Sequence, residues 1–269
     1  MSQYIHGTGP EEQERLTRLN TILLNGGCLK ELSLKGGERI LDVGSGLGQL
    51  SREMAKAART VVLGIERSEE QIREALNQAE LVGEENLVEY RTGDARQLPL
   101  KDNEWGTFDV VHTRFVLEHV PDPLNVVKSM VRAVKKGGRI ILADDDHDVL
   151  RIHPDVPGFS DLWDAYMQTY RTLGNDPVIG RKLVALLHQA GAIPVRTSWI
   201  FFGSCAGYPS FTVYIDNLFA VIAQAKEQMV TQKLFDERKF NRVMISFNEW
   251  RQKPDASLWY AVSWAEGTK

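Results

Sequence analysis

Residues 40–48 read Ile-Leu-Asp-Val-Gly-Ser-Gly-Leu-Gly, an apolar run interrupted by Asp42 that opens into three closely spaced glycines. A strand, a glycine turn and a helix in this order bring backbone N–H groups close to a nucleotide. The dinucleotide fingerprint places its third glycine where this chain has Gln49, so the neighbours must identify the ligand. A carboxylate buried at the end of a strand, as Asp42 would be, needs a partner. A pyrophosphate would repel it and a cationic amine would satisfy it. Glu66 follows about 20 residues after the glycines, where an acid accepts two hydroxyl hydrogens from a ribose. Asp94, flanked by Gly93 and Ala95, closes a third apolar run and is placed to read an adenine amino group.

An adenosine with a cationic amine and no phosphate describes S-adenosylmethionine, and describes NAD less well. The elements that must position these groups alternate. Strand patterns at 38–44, 60–66, 86–94, 108–113 and 139–146 are separated by helix patterns at 48–58, 69–82 and 124–135. Ser68 is a helix N-cap and Gly83 a helix stop. This alternation predicts an α/β fold, a parallel sheet with helices on both faces. Further on, helices are expected at 159–173 and 177–190, a strand at 193–203, about 50 helical residues, and a closing strand at 257–265. No linker separates these parts. The chain reads as a single domain over 1–269, with an N-terminal segment (1–35), a core sheet (36–206), a helical cap inserted between the last two strands (207–254) and a final strand (255–269).

"ILDVGSGLG", "GIERS", "GDARQLPL", "FDVVHTRFVLEHVPDP" and "KKGGRIILAD" together resemble the class I S-adenosylmethionine-dependent methyltransferases, in that family's order and spacing. The resemblance is strong over 38–146 and weaker to 203. It implies a Rossmann-like sheet of seven strands, the last antiparallel. It also implies that Asp42, Gly44, Ser45 and Gly46 hold the methionine end, Glu66 the ribose, and Gly93, Asp94 and Ala95 the adenine. Arg67 and Gln71 would flank the nucleoside, and Thr113, Arg114 and Phe115 would face the sulfonium.

Methyl transfer needs alignment and exclusion of water, and an acidic nucleophile also needs a base. His119 in "LEHVPDP" and His147 in "ADDDHDVLRIHP" are the candidate bases; the alternative for the first is a histidine that caps or packs the next helix, and for the second a solvated acidic loop. Glu118, adjacent to the first, is a lesser candidate for the same role, and Asp146 beside the second is a candidate contact for the acceptor. Catechol-type members of the family hold magnesium with acids at the exits of strands four and five. Thr113 and Arg114 stand at the first of these exits, so no metal is expected. The N-terminal segment is a candidate lid bringing Tyr4 and His6 to the site, or a frayed end with a packing helix. Aromatic residues of the cap, Tyr214 among them, point to a small organic methyl acceptor. Oxygen, nitrogen and carbon acceptors all remain open.

The 269 residues are 43% hydrophobic and 25% charged with a net charge of −4, a globular composition without the basic face of a nucleic-acid binder. Cys28 and Cys205 are far apart and read as buried free thiols rather than a disulfide or zinc framework. With no signal-peptide pattern and no apolar run of about 20 residues, a cytoplasmic protein is expected. Two other classes compete: a nicotinamide-dependent oxidoreductase, and a protein that binds S-adenosylmethionine without catalysis.

Overall fold

The computed structural model describes residues 10–20 and 24–269. Tyr4 and His6 lie outside the described residues. The apolar runs form eight strands: β1 (Ile40–Val43), β2 (Val62–Glu66), β3 (Val88–Thr92), β4 (Phe108–Arg114), β5 (Val134–Asp145), β6 (Arg151–His153), β7 (Ile193–Cys205) and β8 (Ser257–Thr268). They lie in the order β3-β2-β1-β4-β5-β8 with β6 and β7 also on β8. The first five are parallel, and β8 runs antiparallel to β5, β6 and β7. The expected count of seven is short by β6. Strand β5 pairs with β8 only as far as Asp145↔Val262, and Arg151–His153 then occupy the same side of β8 against Ser257–Trp259.

Residues of alternating parity in β1 serve opposite faces, as the pleat requires. Ile40 packs under α2 (Asn25–Leu32) and α3 (Gln49–Ala58), through Cys28, Leu32, Leu50 and Met54. Leu41 and Val43 pack under α5 (Pro123–Ala133) and α7 (Leu183–Gln189), through Val127, Met130, Leu183 and Leu187. Helix α4 (Glu69–Leu81) follows β2, and Ser68 caps it by accepting the Gln71 N–H at 3.2 Å. Asp122 caps α5 through the Asn125 N–H at 3.1 Å. These two caps fix the turns that carry Glu66 and His119.

A third core joins α6 (Phe159–Thr172) to α8 (Pro209–Gln224), α9 (Lys226–Thr231) and α10 (Glu237–Trp250). The helices between β7 and β8 therefore pack mainly on α6 and on one another. The helix expected at 177–190 begins only at Leu183, after a 3₁₀ turn over Ile179–Lys182. Gly180 sits so close to the sheet end that a Cβ there would lie 2.9 Å from the Asp144 carbonyl oxygen. Helix α1 (Pro10–Leu19) touches α8. Cys28 is buried, but Cys205, at the end of β7, is exposed. Among the described residues no helix is long and apolar enough to cross a membrane.

Candidate active site

A cavity of about 220 Å³ lies over the C-terminal ends of β1, β2 and β3, the place where open parallel sheets bind ligands. The glycine loop lines it with backbone because no side chain fits. Gly44 has φ +77°, and a Cβ there would lie 2.2 Å from Val116 Cγ2. Gly48 has φ +68°, with Tyr90 Oη in the space a Cβ would take. Glu66 stands at the rim. Its Oε2 accepts the Gly46 N–H (3.1 Å) and its Oε1 the Ser68 N–H (2.9 Å), so the acid that would read a ribose also ties β2 to the loop. Asp94 is gripped by Arg96, whose Nη2 donates to Oδ2 at 2.6 Å, and this guanidinium holds the carboxyl below its ordinary range.

Asp42, Gly44, Ser45, Gly46, Glu66, Arg67, Gln71, Gly93, Asp94, Ala95, Arg114 and Phe115 all line this cavity. Three details differ from expectation. Asp42 is satisfied from within the protein: Ser51 Oγ donates to its Oδ2 at 2.5 Å and His112 Nδ1 lies 2.8 Å from its Oδ1. Asp42 therefore needs no ligand amine to satisfy it, although it does face the cavity. Thr113 is fully buried and donates to the Val43 carbonyl oxygen (2.8 Å), joining β4 to β1 instead of facing the cavity. Arg114 borders the cavity, but its guanidinium donates to Asn20 Oδ1 (3.0 Å), Asn25 Oδ1 (3.1 Å) and Cys28 Sγ (3.3 Å), clamping the N-terminal segment to β4.

A second cavity of about 90 Å³ adjoins the first, and both are bordered by Phe115 and His119. Phe115 holds φ +56°, a backbone state that costs a bulky residue of order 1–3 kcal/mol. The second cavity is lined by Arg15, Leu19 and Leu24 from the N-terminal segment, by Trp163, Tyr166 and Tyr170 of α6, and by Tyr214, Asn217 and Leu218 of α8. Its polar floor is Glu118, Asp145 and His147. His147 Nε2 lies 3.0 Å from Glu118 Oε2, and Tyr260 Oη lies 3.2 Å from His147 Nδ1. His119 Nε2 is 3.4 Å from Glu118 Oε1, and its ring stacks on Tyr170 at 5.7 Å.

Burial dominates the titration of this floor. It pushes Glu118 up to about 8, with repulsion from Asp176 adding to it, and Asp145 up to about 7, with repulsion from Glu118. It drives His119 down to about 3 and also lowers His147. Both imidazoles are neutral near neutrality, while Glu118 and Asp145 are poised to change charge there.

His119, His147 and Tyr214 thus reach the second cavity. Asp146 does not: it pairs with Arg181 (Nε to Oδ2 2.6 Å) and caps the turn at Asp148. The acid that faces the cavity is Asp145, one residue earlier. Both faces of β5 are covered, so its sequence lacks the alternation that would have told Asp145 from Asp146. Glu118, the lesser candidate base, does reach the cavity, whereas Tyr260 and the tyrosines of α6 were missed as site residues. Trp163, Tyr166 and Tyr170, at helical spacing, were the available signal. The expectation of no metal rested on Thr113 and Arg114. The fold instead brings ligand atoms of Glu118, Asp145 and His147 within 4.8 Å of one another.

The fold is the one shared by solved S-adenosylmethionine-dependent methyltransferases. Residues 41–142 match the family model described as a methyltransferase domain. This chain is 34% identical over 139 residues to the 27-O-demethylrifamycin SV methyltransferase of Amycolatopsis mediterranei, covering 52% of this chain and 50% of the relative. With the ubiquinone biosynthesis O-methyltransferase of Aliivibrio fischeri the figures are 37% over 134 residues, covering 50% and 53%. The chain thus spans about half the length of these curated relatives. Among solved structures, phosphoethanolamine N-methyltransferase 2 of Haemonchus contortus, in complex with S-adenosylhomocysteine, superposes with a TM-score of 0.57 at 19% identity, covering 94% of this chain and 56% of that one. That likeness is one of fold.

Proposed function

We propose that this protein transfers the methyl group of S-adenosylmethionine to a small organic acceptor. The observation that carries the reading is the shared wall: the nucleoside-sized cavity and the aromatic cavity meet at Phe115 and His119. A methyl group on a sulfonium near that wall would face an acceptor on the other side. The residues fit the cofactor. The glycine loop leaves backbone where a Cβ would intrude, and Glu66 stands at ribose distance from it along the chain. His112 borders the cavity with a buried Nε2 that has no partner. Bound S-adenosylmethionine supplies an activated methyl and a neutral leaving group.

The protein's own part is positioning and exclusion of water. The segment after α1 is held by Arg114 and by the pairing of Asn20 Nδ2 with Gln49 Oε1 (3.1 Å), which sets Asn20 at the first cavity and Arg15 and Leu19 of α1 at the second, as a lid. The aromatic walls suit an apolar acceptor body, and the Glu118 carboxyl, which burial makes the stronger base of the floor, can take a proton from it, whereas burial has driven His119 down to about 3. The O-methyltransferases among the relatives and the N-methyltransferase among the structures support methyl transfer and leave oxygen and nitrogen acceptors both open.

The test is calorimetric titration with S-adenosylmethionine, S-adenosylhomocysteine and NAD⁺, followed by transfer of labelled methyl to an acceptor panel. Binding of the first two alone, and labelled product, is the expected result. Binding of NAD⁺ alone, or tight cofactor binding with no transfer to any acceptor, would refute the assignment.

A further inference from the structure

The second cavity holds more carboxyl groups than a simple apolar pocket needs. Glu118 and Asp145 enter it beneath the rings of Trp163, Tyr166, Tyr214 and Tyr260. A buried carboxylate is costly unless a cation or several donors satisfy it. Among the described residues, neither acid forms an ion pair with a lysine or arginine. Glu118 meets the imidazoles of His119 and His147, and Asp145 has the Tyr260 hydroxyl beside it while its Oδ1 is buried without a hydrogen-bond partner among the described residues. Arg15 borders the cavity, but its guanidinium is engaged by Asn217 Oδ1. The surrounding rings supply the second half of a cation site, because the face of an aromatic ring attracts positive charge. Trp163 and Tyr166 stack at 4.8 Å, and Tyr214 and Tyr260 lie 5.9 Å apart.

We infer that the methyl acceptor is a small amine that enters as its ammonium ion, held by Glu118 and Asp145 inside this aromatic enclosure. The inference rests on the methyl-transfer reading above and names the acceptor class for it. A metal ion is the competing cation for the same three-residue floor. It needs a bare imidazole lone pair, whereas both His147 nitrogens already have partners in Glu118 and Tyr260. An ammonium ion asks only for carboxyl oxygens and aromatic rings, both of which line the cavity.

The reaction balances with these groups. The ammonium gives one proton to a floor carboxylate, which becomes a carboxylic acid, the form that burial favours for both acids. The freed nitrogen lone pair forms the N–C bond as the C–S bond breaks, and that electron pair stays on sulfur. The positive charge passes from the sulfonium to the methylated nitrogen, and the acid later releases its proton to water.

The experiment is calorimetric titration of benzylamine and its near-isostere benzyl alcohol into the full chain. Each is run with and without S-adenosylhomocysteine, and again with EDTA. The same titrations are made on Glu118→Gln and Asp145→Asn. The expected result at neutral pH is at least tenfold tighter binding of the amine, unaffected by EDTA and reduced at least fivefold by each substitution. Equal or tighter binding of the alcohol would overturn the inference, as would an amine preference that neither substitution moves. Loss of amine binding in EDTA would overturn it in favour of a metal-held acceptor. The wild-type pair decides the matter even if one variant fails to fold. Failure of S-adenosylhomocysteine to bind would remove the methyl-transfer reading, while an absent amine preference beside normal S-adenosylhomocysteine binding removes only this inference.

Discussion

Replacing Glu118 by Gln should stabilise the protein at alkaline pH and do little at acid pH. The Glu118 carboxyl is 3% exposed and is faced by His119, His147, Asp144, Asp145, Asp176, Tyr166, Tyr260 and the cavity guanidinium of Arg15. Burial raises it from its ordinary 4.5 to about 8. Between those values the native state holds a proton that the unfolded chain has lost, so stability falls as pH rises through that window. Above about 8 the whole penalty is present. One unit is worth about 1.4 kcal/mol, so the full rise corresponds to about 5 kcal/mol. Asp144 and Asp145 are raised by the same burial and by Glu118 itself, so the acids titrate together and one substitution recovers roughly 2 kcal/mol of it. The amide keeps an acceptor for His147 Nε2. The depressed histidines titrate in both proteins and largely cancel in the difference. Urea unfolding of both proteins at pH 5 and pH 9 measures it. The variant-minus-wild-type stability should climb by about 2 kcal/mol across that range, and a difference that is flat with pH would refute the reasoning.

Glu66→Ala should weaken S-adenosylhomocysteine binding by about 1–3 kcal/mol, because the charged acceptor for the ribose is lost together with the anchor of the Gly46 N–H; an unchanged dissociation constant in calorimetry would remove Glu66 from the site. Gly44→Ala forces a side chain into a φ of +77° and onto Val116, which should cost about 1–3 kcal/mol of stability in denaturant unfolding and abolish cofactor binding. Arg114→Ala releases the clamp on Asn20, Asn25 and Cys28; limited proteolysis should then cut faster within residues 10–24 while the sheet stays folded, and an unchanged cleavage rate would count against a lid held from β4. His119→Ala removes a ring that borders both cavities and stacks on Tyr170; with a floor carboxylate as proton acceptor it should raise the Michaelis constant more than it lowers the turnover number, and a fall confined to the turnover number in steady-state kinetics would make His119 the base.

The sequence by itself determined the sheet and its ligand edge. Short apolar runs ending in Gly44, Glu66 and Asp94 can be satisfied only as parallel strands whose exits share one rim, and those side chains did converge on one cavity. Local chemistry was legible for the same reason at Ser68, which caps the helix it precedes. Only the tertiary structure decided what each polar group does inside that frame. Asp42 looked like a ligand for an amine until His112, from the neighbouring strand, was placed 2.8 Å away. Asp145 and Asp146 are adjacent in sequence, and only the path of β5 beside β8 and the arrival of Arg181 send one to the cavity and the other to a salt bridge. The acceptor pocket is assembled from α1, α6, α8 and the ends of β5 and β8, segments more than 200 residues apart in the extreme case of Arg15 and Asn217. Periodicity records which face of a helix is buried but not against what, so a ring of tyrosines around two acids becomes visible only when the cap is folded onto the sheet.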